Sequence, residues 1–278
     1  MAVEHGSGPL VVFAGAGSGK TRVITRRVAH LIEAQRVPPY RILAVTFTNK
    51  AARELRERLE QLAPGQAGSL WVGTFHAVCA RLLRAYATQI GIRKDFVIYD
   101  DSDQKSMLTR VINGMDLDDR VFPPKQVAYR INAAKQEGKS PDAMEAHDSF
   151  ERTVREIYAE YEQRMAASSA LDFGDLIYRL VRELDQRPDM RAALKARFSH
   201  VLVDEFQDVN HVQFAFVQTL CEDHRNLCVV GDDDQSIYRW RGADRRNILE
   251  FRQHFPDATV VKLEQNYRST QLILDAAH

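Results

Sequence analysis

Residues 14–21 read Ala14-Gly15-Ala16-Gly17-Ser18-Gly19-Lys20-Thr21, and they lie between an apolar run and an amphipathic stretch. Three glycines alternate with small residues, then a lysine and a hydroxyl follow. A loop of this composition can turn its backbone N–H groups toward a chain of phosphates. Residues 10–13 read as a buried strand leading in. Residues 21–35 read as the helix leading out, whose N-terminus would add partial positive charge at the phosphates. Lys20 would reach the β- and γ-phosphates, and Thr21 would ligate Mg²⁺. One position departs from the usual pattern: Ala14 stands where such loops begin with glycine.

The chain has 278 residues, of which 45% are hydrophobic and 27% charged. That suits a soluble globular protein of about two domains. No apolar run approaches the roughly 20 residues of a membrane span, and no signal peptide is visible. Cys79, Cys221 and Cys228 lack zinc or redox spacing and read as reduced core residues of a cytoplasmic protein. Net charge is zero, but it is unevenly spread. Residues 20–60 hold ten Lys/Arg against four Asp/Glu, and residues 200–235 hold eight Asp/Glu against Arg225 alone. A neutral total can therefore hide a basic face and an acidic metal site.

Apolar runs recur at residues 10–13, 42–47, 70–75, 201–203, 227–230 and 259–263. Most lack polar alternation, as expected of strands buried on both faces. Helices fall between the early runs. Residues 50–62 place Leu55, Leu59 and Leu62 on one face with Asn49 as cap, and residues 76–90 end at Gly91. This alternation predicts an α/β fold, an open parallel sheet with helices on both faces. Ligands would then bind beyond the carboxyl ends of the strands. Residues 92–198 interrupt the pattern with five helices, at 101–113, 124–136, 149–167, 173–185 and 188–197, with Ser102 and Asp148 as caps of the first and third. They read as a mostly helical inserted subdomain.

The run 201–203 ends in Asp204 and Glu205. An acid there typically holds the Mg²⁺ that bridges the β- and γ-phosphates, which marks Asp204. Glu205 beside it can orient and deprotonate a water. After the run 227–230, Gln235 suits sensing of a γ-phosphate. Tyr238, Trp240 and Arg241 follow at once, and aromatic–cation clusters suit single strands, where stacking is worth roughly 1–3 kcal/mol per base. Phe47 could stack a base, with Thr48 and Asn49 on phosphates, and Thr74 and His76 repeat the theme after the third run. His76 has no second ligand at metal spacing.

Together these motifs resemble the UvrD/PcrA/Rep family of superfamily 1 DNA helicases. The likeness rests on Ala-Gly-Ala-Gly-Ser-Gly-Lys-Thr-Arg, Thr-Phe-Thr-Asn-Lys-Ala-Ala, Gly-Thr-Phe-His, Leu-Asp-Phe-Gly-Asp-Leu, Val-Asp-Glu-Phe-Gln-Asp, Gly-Asp-Asp-Asp-Gln-Ser-Ile-Tyr-Arg-Trp-Arg-Gly-Ala and Gln-Asn-Tyr-Arg-Ser-Thr, in that order. The family accommodates Ala14. The resemblance implies a RecA-like P-loop NTPase motor that uses ATP and Mg²⁺. The loop residues Ala14 to Thr21 would hold the phosphates, and Arg22 and Tyr267 would sandwich the adenine. Asp204 would bind Mg²⁺, Glu205 would be the catalytic base, and Gln235 would couple the γ-phosphate to DNA. Arg268 would be an arginine finger. Phe47, Tyr238, Trp240 and Arg241 would line the single-strand path, with Thr74 and His76 on its backbone. Gly174 departs from the acid expected there.

The resemblance divides the chain into a first motor domain at 1–91 and 199–264, an accessory insertion at 92–198, and the opening of a second motor domain at 265–278. It implies an N-terminal fragment of a 3′-to-5′ translocase and helicase acting on single-stranded DNA and single/double-strand junctions. Alone, such a fragment would bind ATP·Mg²⁺ weakly, turn it over slowly and not unwind, with Tyr267 and Arg268 poorly anchored. Two other readings stand beside it. One is the motor part of a helicase–nuclease. The other is a nucleotide-gated module that binds repair or transcription proteins.

Overall fold

The computed structural model describes the chain apart from residues 16, 233–234, 236–245, 264 and 268–278. Each apolar run read from the sequence forms a strand: β1 (Leu10–Ala14), β2 (Ile42–Thr46), β3 (Trp71–Thr74), β6 (His200–Val203), β7 (Leu227–Gly231) and β8 (Thr259–Leu263). They make one sheet in the order β3-β2-β6-β7-β1-β8, every adjacent pair parallel. Parallel strands need crossovers: the helix α1 (Lys20–Glu33) links β1 to β2, and α2 (Asn49–Leu62) links β2 to its neighbour β3.

Alternate strand residues face opposite ways, and both sets are apolar. Leu10, Val12, Ile42, Ala44, Val72, Leu202, Cys228 and Val230 join Ile24, Val28 and Leu31 of α1 and Leu55 and Leu59 of α2 in one core. Val11, Leu43, Val45, Val201, Val203 and Val229, on the other face, are also buried. Phe206 meets Phe214 and Phe251 edge-on at 5.6 and 5.7 Å. This double burial explains the missing polar alternation. At the sheet edge β8 is half-exposed along most of its length. The three cysteines are free and buried.

His200, opening β6, is held neutral. Burial first, then the charges of Arg27, His224 and Arg41, pushes its pKa down to about 4. An unfolded histidine titrates at 6.5, so the folded chain resists the proton. The stability from this neutral ring is complete above pH 6.5 and is lost as pH falls toward 4. It amounts to roughly 2–3 kcal/mol. Urea unfolding followed from pH 7 to pH 4 should show this loss, and His200→Asn should make it shallower by about that amount.

Contacts divide the chain into two compact units, Met1–Val78 with Arg187–Val209 and Phe214–His278, and Cys79–Gln186 with Asn210–Gln213. The second unit holds α4 (Asp101–Gly114), α5 (Pro124–Gln136), α6 (Ser149–Ala167) and α7 (Phe173–Gln186). Its core joins Leu108, Val111 and Ile112 to Val127, Ile131, Val154, Ile157 and Tyr161. Helix α3 (Phe75–Tyr86) stops before Ile90, and turns run on to Gly91. Two caps differ from the sequence reading. Thr48, not Asn49, caps α2 through Ala51 N–H at 3.1 Å. Asp100, not Ser102, caps α4, accepting from Ser102 and Asp103 N–H while Asp103 accepts from Asp100 N–H. The two carboxylates complete a reciprocal capping box that a serine hydroxyl two residues later does not.

Two three-residue strands escaped the sequence reading. β4 (Val97–Tyr99) pairs in parallel with β5 (Ala170–Asp172). Asp172 leads into α7, and its neighbourhood is a buried ionic cluster. Lys135, fully buried, lies 2.9 Å from Asp172, 2.5 Å from Asp175 and 2.8 Å from Glu162. Tyr161 and Gln104 also donate to Asp172 Oδ2, each at 2.9 Å. Gly174 belongs to this cluster: a Cβ there would stand 3.1 Å from Lys135 Cδ and 3.2 Å from Asp172 Oδ1. The glycine in place of the expected acid thus leaves room for the Lys135 stem.

Candidate nucleotide-binding site

Strand β1 delivers the loop. Ala14 is its last residue, buried and without positive φ. The left-handed conformations fall at Gly17 (φ 75°) and Gly19 (φ 100°). Glycine is therefore demanded at those positions and not at 14, which resolves the departure at Ala14. Ser18 Oγ donates to Gly15 O at 2.7 Å and closes the turn. Gly19 precedes α1 and offers no side-chain cap, so the first N–H groups of α1 keep their polarity for an anion. Ala16 lies outside the described residues.

Strands β6 and β7 end beside the loop. Asp204 is buried, and its pKa rises to about 7, by burial first and then by repulsion from Glu205. Its Oδ1 accepts the Glu205 N–H at 3.0 Å. Glu205 adopts φ 50° and ψ 47°, a left-handed conformation that few residues other than glycine take. That kink turns its carboxylate toward the loop. Lys20 Nζ donates to Glu205 Oε2 at 2.9 Å and to Gln235 Oε1 at 3.4 Å. Gln235 Nε2 in turn donates to the Asp232 carboxylate. Lys20 thus contacts both Glu205 and Gln235, the other two residues placed here from sequence.

The carboxylates outnumber the cation. Asp208, on the turn after Glu205, is raised to about 6 by burial and by Glu205, and its buried Oδ1 has no hydrogen-bond partner. Hard oxygen donors with surplus negative charge suit a divalent ion such as Mg²⁺. Asp204 and the Thr21 hydroxyl are the oxygen donors that the sequence reading assigns to such an ion. Among the described residues no group of three or more His, Cys, Asp or Glu forms a metal cluster by itself.

A cleft of about 620 Å³ opens next to the loop, lined by Val3, Gly17, Gly19, Arg22, Lys262 and Tyr267 among others. Arg22 and Tyr267, read from the sequence as the adenine sandwich, both line it. The Tyr267 backbone is anchored, its N–H donating to Gly17 O at 3.0 Å, while its side chain remains 68% exposed. Arg268 lies outside the described residues. Sequence reading missed Arg27. Its buried guanidinium donates to the carbonyls of Ala2, Val3 and His5 at 2.7–3.3 Å and so fixes the segment that brings Val3 to the cleft. Its signal was an arginine on the apolar face of α1.

The residues read as DNA contacts fall at the ends of β2 and β3. Phe47 is half-buried, Thr48 and Asn49 are exposed, and Thr48 already caps α2. Thr74 Oγ1 accepts from Ala77 N–H at 3.3 Å, and His76 lies half-buried in the first turn of α3. Tyr238, Trp240 and Arg241 lie outside the described residues. In the sheet order, β1, β7 and β6 carry the residues read as nucleotide contacts, and β2 and β3 carry these.

A family model for the UvrD/REP helicase N-terminal domain matches residues 1–256. The chain belongs to this family. It is 46% identical over 279 residues to the ATP-dependent DNA helicase PcrA of Staphylococcus aureus (strain Mu50 / ATCC 700699), a match that covers 100% of this chain and 38% of that protein. The ATP-dependent DNA helicase PcrA of Bacillus subtilis (strain 168) is 44% identical with the same coverage. The chain therefore spans little more than a third of the length of these relatives. No helix among the described residues is long and apolar enough to cross a membrane.

Proposed function

We propose that this chain is the ATP-binding first motor domain, with its accessory insertion, of an ATP-dependent 3′-to-5′ DNA helicase and single-strand translocase. It would act in the cytoplasm on single-stranded DNA and its junctions with duplex. The observation that carries the reading is the contact set Lys20–Glu205–Gln235. It joins a phosphate-binding cation, a candidate base and a candidate γ-phosphate sensor in one site. Family membership and the PcrA likeness support the DNA substrate.

In this reading the loop N–H groups and Lys20 hold the β- and γ-phosphates, and Arg22 and Tyr267 stack the adenine. Thr21 and Asp204 would hold Mg²⁺, which supplies charge neutralisation across the two phosphates. Glu205 orients water for in-line attack and takes its proton. Gln235 senses the γ-phosphate, and Arg268 approaches it from the second motor domain. Phe47, Thr48, Asn49, Thr74, His76, Tyr238, Trp240 and Arg241 follow the DNA strand. Repair or transcription proteins would be its partners. The test is ATP hydrolysis by the full-length protein with and without single-stranded DNA. Glu205→Gln should lower stimulated kcat by roughly 10²–10⁴-fold, the usual weight of a general base, while ATP still binds. Unchanged turnover would remove Glu205 from the mechanism.

A further inference from the structure

Gln207 is 1% exposed and sits on the short 3₁₀ turn Phe206–Asp208. Both ends of its amide are engaged in the site. Nε2 donates to Glu205 Oε2 at 2.9 Å, and Oε1 accepts the Asp232 backbone N–H at 3.0 Å. The hydrogen bonds therefore close a ring. It runs from Lys20 to Glu205, to Gln207, to Asp232, to Gln235 and back to Lys20. The end of β7 is shaped around this amide. A Cβ on Gly231 would fall 2.6 Å from Gln207 Oε1 and 3.3 Å from Gln207 N.

Lys20 and Gln207 donate to the same oxygen of Glu205. When Lys20 turns to a phosphate, that oxygen keeps Gln207. The amide then sets the direction of the Glu205 carboxylate relative to the end of β7. The chain after Asp232 passes through Gln235 and, within six residues of it, Tyr238, Trp240 and Arg241.

We propose that Gln207 is a positioning residue that ties the Glu205 carboxylate to the Asp232 backbone, so that DNA engaging the segment after β7 sets the aim of the base. This rests on the reading of Glu205 as the base. A buried amide that merely fills space would serve stability alone, and the two roles separate in kinetics.

The experiment uses the full-length protein containing this chain, with ATP and single-stranded oligonucleotide as probes. Gln207→Ala and Gln207→Glu are compared with Glu205→Gln. Gln207→Glu keeps the side-chain volume and an acceptor for the Asp232 N–H while setting a carboxyl oxygen, with its negative charge, in place of the donor to Glu205, so it gives a second reading if the alanine variant does not fold. Both variants should lower DNA-stimulated kcat by about 10–100-fold, the usual effect of losing a partner that orients a reacting group, with KM for ATP within about twofold. The ratio of stimulated to basal turnover should fall toward one. An unchanged ratio would overturn the proposal, even if melting temperature or basal turnover dropped. If Glu205→Gln itself hydrolyses ATP normally, the reading of the base fails, and the two failures stay distinct.

Discussion

Lys20→Ala in the full-length protein should abolish most DNA-stimulated ATP hydrolysis and leave the fold standing. Lys20 is the one cation in contact with Glu205 and Gln235 among the described residues, and its side chain is 11% exposed. Preorganised charge at a developing phosphoryl centre is commonly worth about 10²–10³-fold in turnover, and that is the loss expected here. Stability should respond little. Glu205 is 36% exposed, so water can solvate it once the lysine is gone, and a pair this open contributes about 0–1 kcal/mol. Turnover measured beside thermal melting separates the two effects. If stimulated hydrolysis survived the substitution, the loop would not serve hydrolysis.

Lys135→Ala should have the largest effect on stability. Burial works against the Lys135 charge, but Asp172, Asp175 and Glu162 outweigh it and raise the lysine well above its usual range. Asp175 is raised as well, to about 8, by burial and by Asp172. Removing the lysine leaves two buried carboxylates facing each other without a cation. Breaking a buried pair from one side typically costs about 3–5 kcal/mol, and a cavity where the lysine stem packed adds to that. Lys139→Ala is the control. Its lysine pairs with Glu137 and Glu145 at the surface, and its loss should cost less than about 1 kcal/mol. Denaturant unfolding should separate the variants, and hydrogen exchange should place the loss in α4 to α7. Equal stability of the two variants would show that the cluster contributes little.

Much of this was legible beforehand because the determining signals are local. Gly17 and Gly19 sit where φ is positive, and the six apolar runs became the six strands of the sheet. The bounds of α5, α6 and α8 (Pro188–Arg197) match the reading, each opened by proline or capped by Asp148. What escaped was set by distant partners. β4 and β5 are three residues each and are separated by more than seventy residues, too short and too remote for a pattern. Lys135, Asp172 and Asp175 look like ordinary surface charges until α5, β5 and α7 come together. Gln207 appeared only as a letter in a motif, because its role depends on the Asp232 backbone.

By itself the sequence determined the α/β class, the phosphate loop and the family, since backbone conformation, burial and motif order are written along the chain. Only the tertiary structure decided the strand order, which lays the ends of β1, β7 and β6 beside those of β2 and β3. It alone closed the ring that joins Lys20, Glu205, Gln207, Asp232 and Gln235. The reason is geometric: hydrogen bonds act over about 3 Å in space, whatever the separation along the chain.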